Sequence, residues 1–491
     1  MTRLLPLAPC AWASSSIRRQ LVPVALWALC GCVSPPEAEV PEPRSLGAEF
    51  PAYAAAAAPA PSSPSASSPS TATATLARTP TAPSAPETPT GIVEIEDALA
   101  AALLRNPDLA AFSWEVRSRE ARALQAGLLP NPQVQVQVQD FAGTGDFSGV
   151  DGTESQLFLS QQILTAGKRS KRREAAARGA DVAAWEYETA RVDVFATVVR
   201  TFFAALAAQR RVELSEELVR VAETSADEVR QLVSRGATPR AELMRAEVEA
   251  AAARVDVAIA RRARRAARAA LAATWGAGSP DFTQLEGDLG AIDAPPDDAE
   301  PMQNRLSGNP ELVRWEREIA RRKAVVSRED AERIPDVTVG IGPRWLAESD
   351  DAAFFGQVSV PIPIFDRNQG GRAAARSDLR KAEHERRAAF ARLAAALESA
   401  HQELAARFEE VTSLREEILP GAEGAFEQVR RGYAQGLFRN VDVLQAQRRL
   451  FELRLREIDA LRAYHAARSN LERITGTPLS TSLSTPGGTR P

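Results

Sequence analysis

Lys168 to Arg235 holds 68 residues with no proline and one glycine, Gly179, and its middle reads Val192-Asp-Val-Phe-Ala-Thr-Val-Val-Arg-Thr-Phe-Phe-Ala-Ala-Leu206. An unbroken helix of that length would reach about 100 Å, several times the width of a compact domain. Val192, Phe195, Val199, Phe202 and Leu206 step by three and four, a heptad-like seam that asks for a helical partner along its length. The chain is organised around a helical rod.

Outward from the rod the sequence is written twice. Asn106-Pro107-Asp108-Leu109 recurs as Asn309-Pro310-Glu311-Leu312, and Pro132-Gln-Val-Gln-Val-Gln-Val138 as Pro335-Asp-Val-Thr-Val-Gly-Ile341, both at a spacing of 203. Gln156 with Ile163-Leu164 recurs as Gln357 with Ile364-Phe365 at 201. Gly167-Lys-Arg169 is echoed by Gly370-Gly-Arg372, and Gly236, six residues before Glu242-Leu243-Met244, by Gly436, six before Asp442-Val443-Leu444. A period near 200 is far longer than that of solenoid units. This is a duplicated half-protein, 92–290 and 298–476.

Each half predicts the same order: a helix after the Asn-Pro break (109–129; 312–334), two strands, a long helix (168–235; 372–431), a tight turn at Gly236 or Gly436, and a helix returning to about Trp275 or Ile474. The short and returning helices, about 21 and 39 residues, nearly match the long one, so stacked end to end they would flank it. Pro420 and Gly421 interrupt the second long helix. Proline removes an interior hydrogen bond and clashes with the preceding turn, which predicts a kink there and makes the second half the moving part.

Gln133 to Gln139 alternates glutamine and valine strictly, the period of a strand with two unlike faces. Alone, that pattern suits a soluble sandwich. The other strand segments are 155–161, 337–342 and 355–362, and strands of this size approach the length that crosses a bilayer when tilted. Phe141, Phe147, Trp345, Phe354 and Phe355 gather near their ends, where membrane barrels carry aromatic belts. Four strands cannot close a membrane barrel, because open edges are not tolerated in lipid. Several chains must build it, and rods repeated about one axis make a tube.

The 60 basic and 64 acidic residues leave a net charge of −4, which excludes the broad positive field of a nucleic-acid protein. His384, His401 and His465 are the only histidines, and none has a second histidine or cysteine within four residues. No metal site, cofactor site or catalytic constellation is expected. The basic run Arg254 to Arg268 reads as a solvated helix face.

At the N-terminus, Arg18 and Arg19 precede an apolar run, Leu21 to Leu29, that ends in Leu29-Cys30-Gly31-Cys32. The run is too short to span a bilayer, so 1–32 reads as an export signal. Its end resembles a bacterial lipoprotein box with Cys32 as the lipidated residue; a plain secretory signal is the alternative. Residues 33–90, rich in Pro, Ala, Ser and Thr, form a disordered tether, and 477–491 a disordered tail.

Over 92–476 the duplicated plan, the Gly-Tyr turn and the strand-to-helix joints resemble TolC-like outer-membrane efflux factors. Gln161-Gln-Ile-Leu-Thr-Ala-Gly-Lys-Arg-Ser-Lys-Arg172 and Val360-Pro-Ile-Pro-Ile-Phe-Asp-Arg-Asn-Gln-Gly-Gly371 are most similar to the heavy-metal branch, the CzcC type of cobalt-zinc-cadmium systems. The resemblance implies a mainly α fold with membrane β: a homotrimer whose duplicated helix-strand-strand-helix halves form a twelve-stranded β-barrel, continued by an α-helical tunnel into the periplasm. It implies an outer-membrane channel, not an enzyme, conducting divalent heavy-metal cations from an inner-membrane resistance-nodulation-division (RND) proton antiporter and a periplasmic adaptor.

In such proteins the segment Gly432-Tyr433-Ala434-Gln435-Gly436, followed by Asp442-Val443-Leu444, lies at the periplasmic end. The resemblance makes Tyr433 and Asp442 gate residues, with Gln445 where a second aspartate is expected and Phe438 where an arginine is. The hairpin tips that would meet the adaptor are Arg235, Gly236, Thr238, Gly436, Leu437, Phe438 and Arg439. Gly167, Pro361, Pro363, Gly370 and Gly371 are joint residues: prolines cannot donate to a ladder and glycines allow a bend. A ring of Asp442 carboxylates would favour cations; equally, Asp442 is a first-turn carboxylate that the helix dipole favours. Two rival readings remain, a periplasmic coiled-coil structural or adaptor protein, and the same channel serving multidrug or type I secretion.

Overall fold

The computed structural model describes residues 88–295 and 304–476, all within one compact unit. The signal 1–32, the tether 33–90 except its last three residues, and the tail 477–491 lie outside the described residues.

The first half runs β1 (Gly91–Val93), α1 (Ile95–Arg105), α2 (Pro107–Ala126), β2 (Gln133–Gln139), β3 (Glu154–Ile163), α3 (Lys168–Ser234), α4 (Arg240–Ala273) and β4 (Phe282–Leu285). The second runs α5 (Pro310–Glu332), β5 (Val337–Leu346), β6 (Asp351–Ser359), α6 (Gln369–Ser413), α7 (Leu419–Ala434) and α8 (Asn440–Thr475). The rod is α3, 67 residues without a break. Alanines at 222, 226, 246, 250, 253 and 260 are buried along α3 and α4, small side chains that let two helices approach closely.

The apolar middle of α3 is the centre of the main core. Val198, Phe202 and Leu206 are almost fully buried with Leu271, Leu404, Val411, Tyr464 and Leu471 from the other helices. Part of their cover comes from elements the periodicity does not show. Ile95 and Ala98 of α1, and Phe282 and Leu285 of β4, belong to the same core, and β1 pairs with β4 as a two-stranded parallel ribbon. These segments span only 3 to 11 residues, too short for a period to be read.

The end-to-end stack has a chemical splice. Asn106 caps α2 by accepting the Leu109 N–H at 2.9 Å, while its Nδ2 donates to the Thr274 carbonyl at the end of α4, 2.8 Å away. Asn309 repeats this: it accepts the Glu311 N–H and donates to the Ile474 carbonyl at the end of α8, both at 2.8 Å. One buried amide thus satisfies the start of one helix and the end of another. Pro107 and Pro310 occupy the first helical position, where no N–H is needed.

In the second long helix the hydrogen-bonding pattern changes upstream of the proline rather than at it. Leu414–Ile418 form a π-helical turn in which the Leu419 N–H reaches the Leu414 carbonyl, and Pro420 falls just inside α7. The widened turn carries Arg415, which bonds to Glu457 of α8 at 2.9 Å and to the Gly290 carbonyl, in the segment that follows β4, at 2.8 Å.

Candidate functional site

The four longer strands form one antiparallel sheet in the order β2-β3-β5-β6. The register fixes what each face presents. Val134 lies opposite Leu159, Leu159 opposite Ile341, and Val339 opposite Val358, so apolar residues share one face across all four strands. Gln137 lies opposite Gln156, Gln156 opposite Arg344, and Gly340 opposite Gln357 on the other. The apolar face is bare: Val136, Val358 and Phe354 are 69%, 71% and 80% exposed. Strand lengths differ from expectation at the loop end, where β5 continues through Pro343 to Leu346 and β6 starts at Asp351.

That difference corrects one residue of the aromatic belt. Phe355 lies within β6 on the polar face, stacked on Phe158 with ring centroids 5.4 Å apart. A β-carbon at Gly340 would strike the Phe158 ring, so the glycine is the floor on which the aromatic pair rests. Trp345 and Phe354 keep the apolar face.

At the first joint Gly167 enters α3 with φ +66°, preceded by Ala166 at +51°. Asp336, the residue before β5, ties this joint to the second half. Its Oδ1 accepts from the Thr165 N–H at 3.0 Å and from Lys168 Nζ at 2.8 Å, and Glu332 lies 3.6 Å from the same ammonium. Burial works against the Asp336 charge, but the Lys168 and Thr165 bonds prevail and hold its carboxyl below the usual range.

The second joint is turned by a residue that the spacing misses. Gly370 and Gly371 lie inside the first turn of α6 with no positive φ, whereas Asn368, at φ +54°, is the entry residue. The structural partner of Gly167 is therefore Asn368, 201 residues on, rather than Gly370. Asparagine tolerates this left-handed geometry better than most side chains, and its Nδ2 bonds to Glu329 Oε2 at 2.7 Å. That bond, and then the one from Arg328, hold the Glu329 carboxyl low. Gly371 has a packing reason instead: a β-carbon there would meet the Asn368 and Glu329 side chains. A β-carbon at Gly370 would meet no side chain within 4 Å among the described residues. Pro361 and Pro363 follow the end of β6 and are exposed and half-buried respectively.

Both hairpin tips close in the same way. The Ala237 N–H bonds to the Leu232 carbonyl at 2.9 Å and that of Leu437 to Gly432 at 2.8 Å, with Gly236 and Gly436 at φ +73° and +79°. This is the glycine-terminated Schellman closure. Arg235, Gly236, Gly436, Leu437, Phe438 and Arg439 are exposed and Thr238 is half-buried. Phe438 lies back over Gly432, where a β-carbon would strike its ring. Gly432→Ala should therefore displace Phe438 and speed hydrogen exchange at the Leu437 amide by roughly tenfold, as expected for a local strain of about 1.4 kcal/mol; unchanged exchange would show that the ring has no fixed seat.

Asp442 caps α8: its Oδ2 accepts the Arg439 N–H at 2.9 Å, and its side chain is 34% exposed. Tyr433 is half-buried, and burial, followed by the neighbouring carboxylates of Glu228 and Glu242, raises its phenol. It thus faces the first hairpin. Gln445 is exposed. Among the described residues no hydrogen bond joins Tyr433, Asp442 and Gln445. The basic run on α4 is engaged with α3, through Arg254 to Glu223 and Arg261 to Glu216, both at 2.7 Å. Among the described residues, no group of three or more His, Cys, Asp and Glu could hold a metal ion.

A duplicated helical rod joined to a sheet with one apolar and one polar face suits a membrane channel protein. The sequence pattern of the outer membrane efflux protein family matches residues 98–277 and 302–477, and the chain belongs to that family. Its place is the outer membrane, with the helices extending into the periplasm, and the family is one of channels rather than enzymes. The chain is 33% identical over 391 residues to the cobalt-zinc-cadmium resistance protein CzcC of Cupriavidus metallidurans, covering 80% of this chain and 92% of that one. Among solved structures it is similar to CusC, with a TM-score of 0.65 at 17% identity over 79% of this chain and 94% of that one. The open-state MtrE channel of Neisseria gonorrhoeae gives 0.65 at 18% identity over 78% and 89%.

Proposed function

We propose that three copies of this chain close a twelve-stranded barrel, continued by a periplasmic helical tunnel, and that the assembly passively conducts divalent heavy-metal cations out of the cell. The carrying observation is the sheet: one face apolar and bare across four strands, the other polar, with edges at β2 and β6 that pair with no other strand among the described residues. A bare apolar face suits lipid, and open edges in lipid must be closed. The choice of cargo rests on the likeness to CzcC, whose name states cobalt, zinc and cadmium resistance. Efflux factors of this family act with an adaptor and an RND pump in tripartite systems. In this reading the exposed Leu437 and Phe438 meet the adaptor, Cys32 carries a lipid anchor, and Tyr433, Asp442 and Gln445 line the periplasmic end.

Deleting the gene should lower resistance to zinc, cobalt or cadmium and leave hydrophobic drugs unaffected; sensitivity to drugs alone would overturn the cargo. The gate has its own test. Asp442→Asn keeps an acceptor for the Arg439 N–H and removes the charge, so it should raise single-channel conductance or lower cation selectivity in planar bilayers. If both stay at the parental values, Asp442 is a helix cap and nothing more.

A further inference from the structure

The free edges β2 and β6 can be matched residue by residue, because the sheet carries the internal repeat in its register. Gln137 opposite Gln156 in the first hairpin becomes Gly340 opposite Gln357 in the second, and Val136 opposite Leu157 becomes Val339 opposite Val358. The offsets are 203 for the leading strand and 201 for the following one, the same spacings that the sequence repeat shows. Between the hairpins β3 pairs with β5, with Leu159 opposite Ile341 and Gln161 opposite Val339. Carried over by those offsets, these two pairs become Val360 opposite Val138 and Ile362 opposite Val136.

The hydrogen-bond phase agrees. The Ala347 N–H donates to the Thr153 carbonyl at 3.0 Å, and in an antiparallel pair every second residue exchanges its bonds with the residue opposite. Odd-numbered residues of β3 and β5 therefore face each other. It follows through the sheet that even-numbered residues of β2 and β6 turn their N–H and C=O groups to the open edges. Val136, Val138, Val360 and Ile362 are all of that set. Pro361 and Pro363 belong to the other set, facing the side where β5 has already ended at Val337. Their missing donors remove nothing from the free edge. Val360 and Ile362 are also 47% and 79% exposed, continuing the apolar face beyond Ser359.

We infer that in the assembly β6 lengthens past Ser359 and pairs with β2 of the next copy, Val360 facing Val138 and Ile362 facing Val136. The ladder ends at Pro363, where the Ile364 N–H already bonds to the Ile362 carbonyl at 2.9 Å. This rests on the barrel reading above and adds its register. A slip of one residue would turn the apolar side chains to the polar face, so the competing registers are those displaced by two.

Cysteine pairs in the full-length chain, oxidised in outer membranes, test it. The register sets Ser359 opposite Gln139 in a non-hydrogen-bonded pair, with Cα atoms about 4.5 Å apart and within disulfide range. Ser359→Cys with Gln139→Cys should give a covalent trimer on denaturing gels that reducing agent dissolves. Ser359→Cys with Gln137→Cys or Phe141→Cys should not, and the single-cysteine variants, still heat-modifiable trimers, control for folding and for Cys32. Cross-linking at 137 or 141 in an intact native trimer would overturn the register. No cross-link in any pair, with the native trimer intact, would overturn β2–β6 pairing itself. A native monomer would overturn the barrel reading instead.

Discussion

Lys168→Met should lower the stability of the folded chain by about 3 to 5 kcal/mol, the cost of removing one partner from a buried ion pair. The lysine side chain is only 4% exposed and lies 2.8 Å from Asp336, which is itself 13% exposed. Methionine keeps the length and the apolar stem, so what is lost is the charge, and Asp336 stays buried beside Glu332 with no ammonium. The effect should depend on pH in a defined direction. Asp336 has its carboxyl held low by Lys168 and Thr165 against the effect of burial. Its contribution is complete above the unfolded value, about 3.9, and is lost as pH falls through the lower folded value. Urea unfolding of the detergent-solubilised protein should show the full difference at pH 7 and a shrinking one below about pH 4. A difference under about 1 kcal/mol at pH 7, the range of an exposed pair, would show that the joint does not depend on this lysine.

Asn106→Ala and Asn309→Ala should each cost about 2 to 4 kcal/mol, from a lost cap of about 1 and a buried carbonyl left without its donor, about 1 to 3. The two splices join different helix pairs, so the double variant should lose about the sum. Aspartate separates the two functions. It retains the capping oxygen but not the Nδ2 that reaches Thr274 or Ile474, so Asn106→Asp should recover only the cap. Equal stability for the Asn106→Asp variant and the parental chain, measured by the same unfolding curves, would reduce these residues to ordinary caps.

Periodicity is a local property, and what it governs was legible. The long helices, the alternation of Gln133 to Gln139 and the repeat of about two hundred residues follow from side chains spaced by turns or pleats. What joins distant segments was not. Asn106 announces a helix start, but its second bond goes to a residue 168 positions away. The paired glycines at 370 and 371 look like a hinge, whereas the positive φ sits on Asn368, a residue whose spelling does not reveal it. β1, α1 and β4 are too short to show a period, yet without them the middle of α3 would lack part of its cover. Among the proposed gate residues, Asp442 was legible as a first-turn carboxylate, and its capping bond shows that reading in atoms.

The widened turn before Pro420 has a consequence for helical phase. Along α6 and into the wide turn the buried positions Leu404, Val411 and Leu414 follow a heptad line, and the next, Leu419, comes five residues on where four would continue the line, followed by Ala422 and Phe426. In an uninterrupted α-helix one surplus residue would rotate everything beyond it by about 100°, turning the α7 stripe away from α8. The wide turn absorbs that residue. The chain therefore carries one supernumerary residue as a built-in angular correction, which keeps a single seam aligned on both sides of a proline.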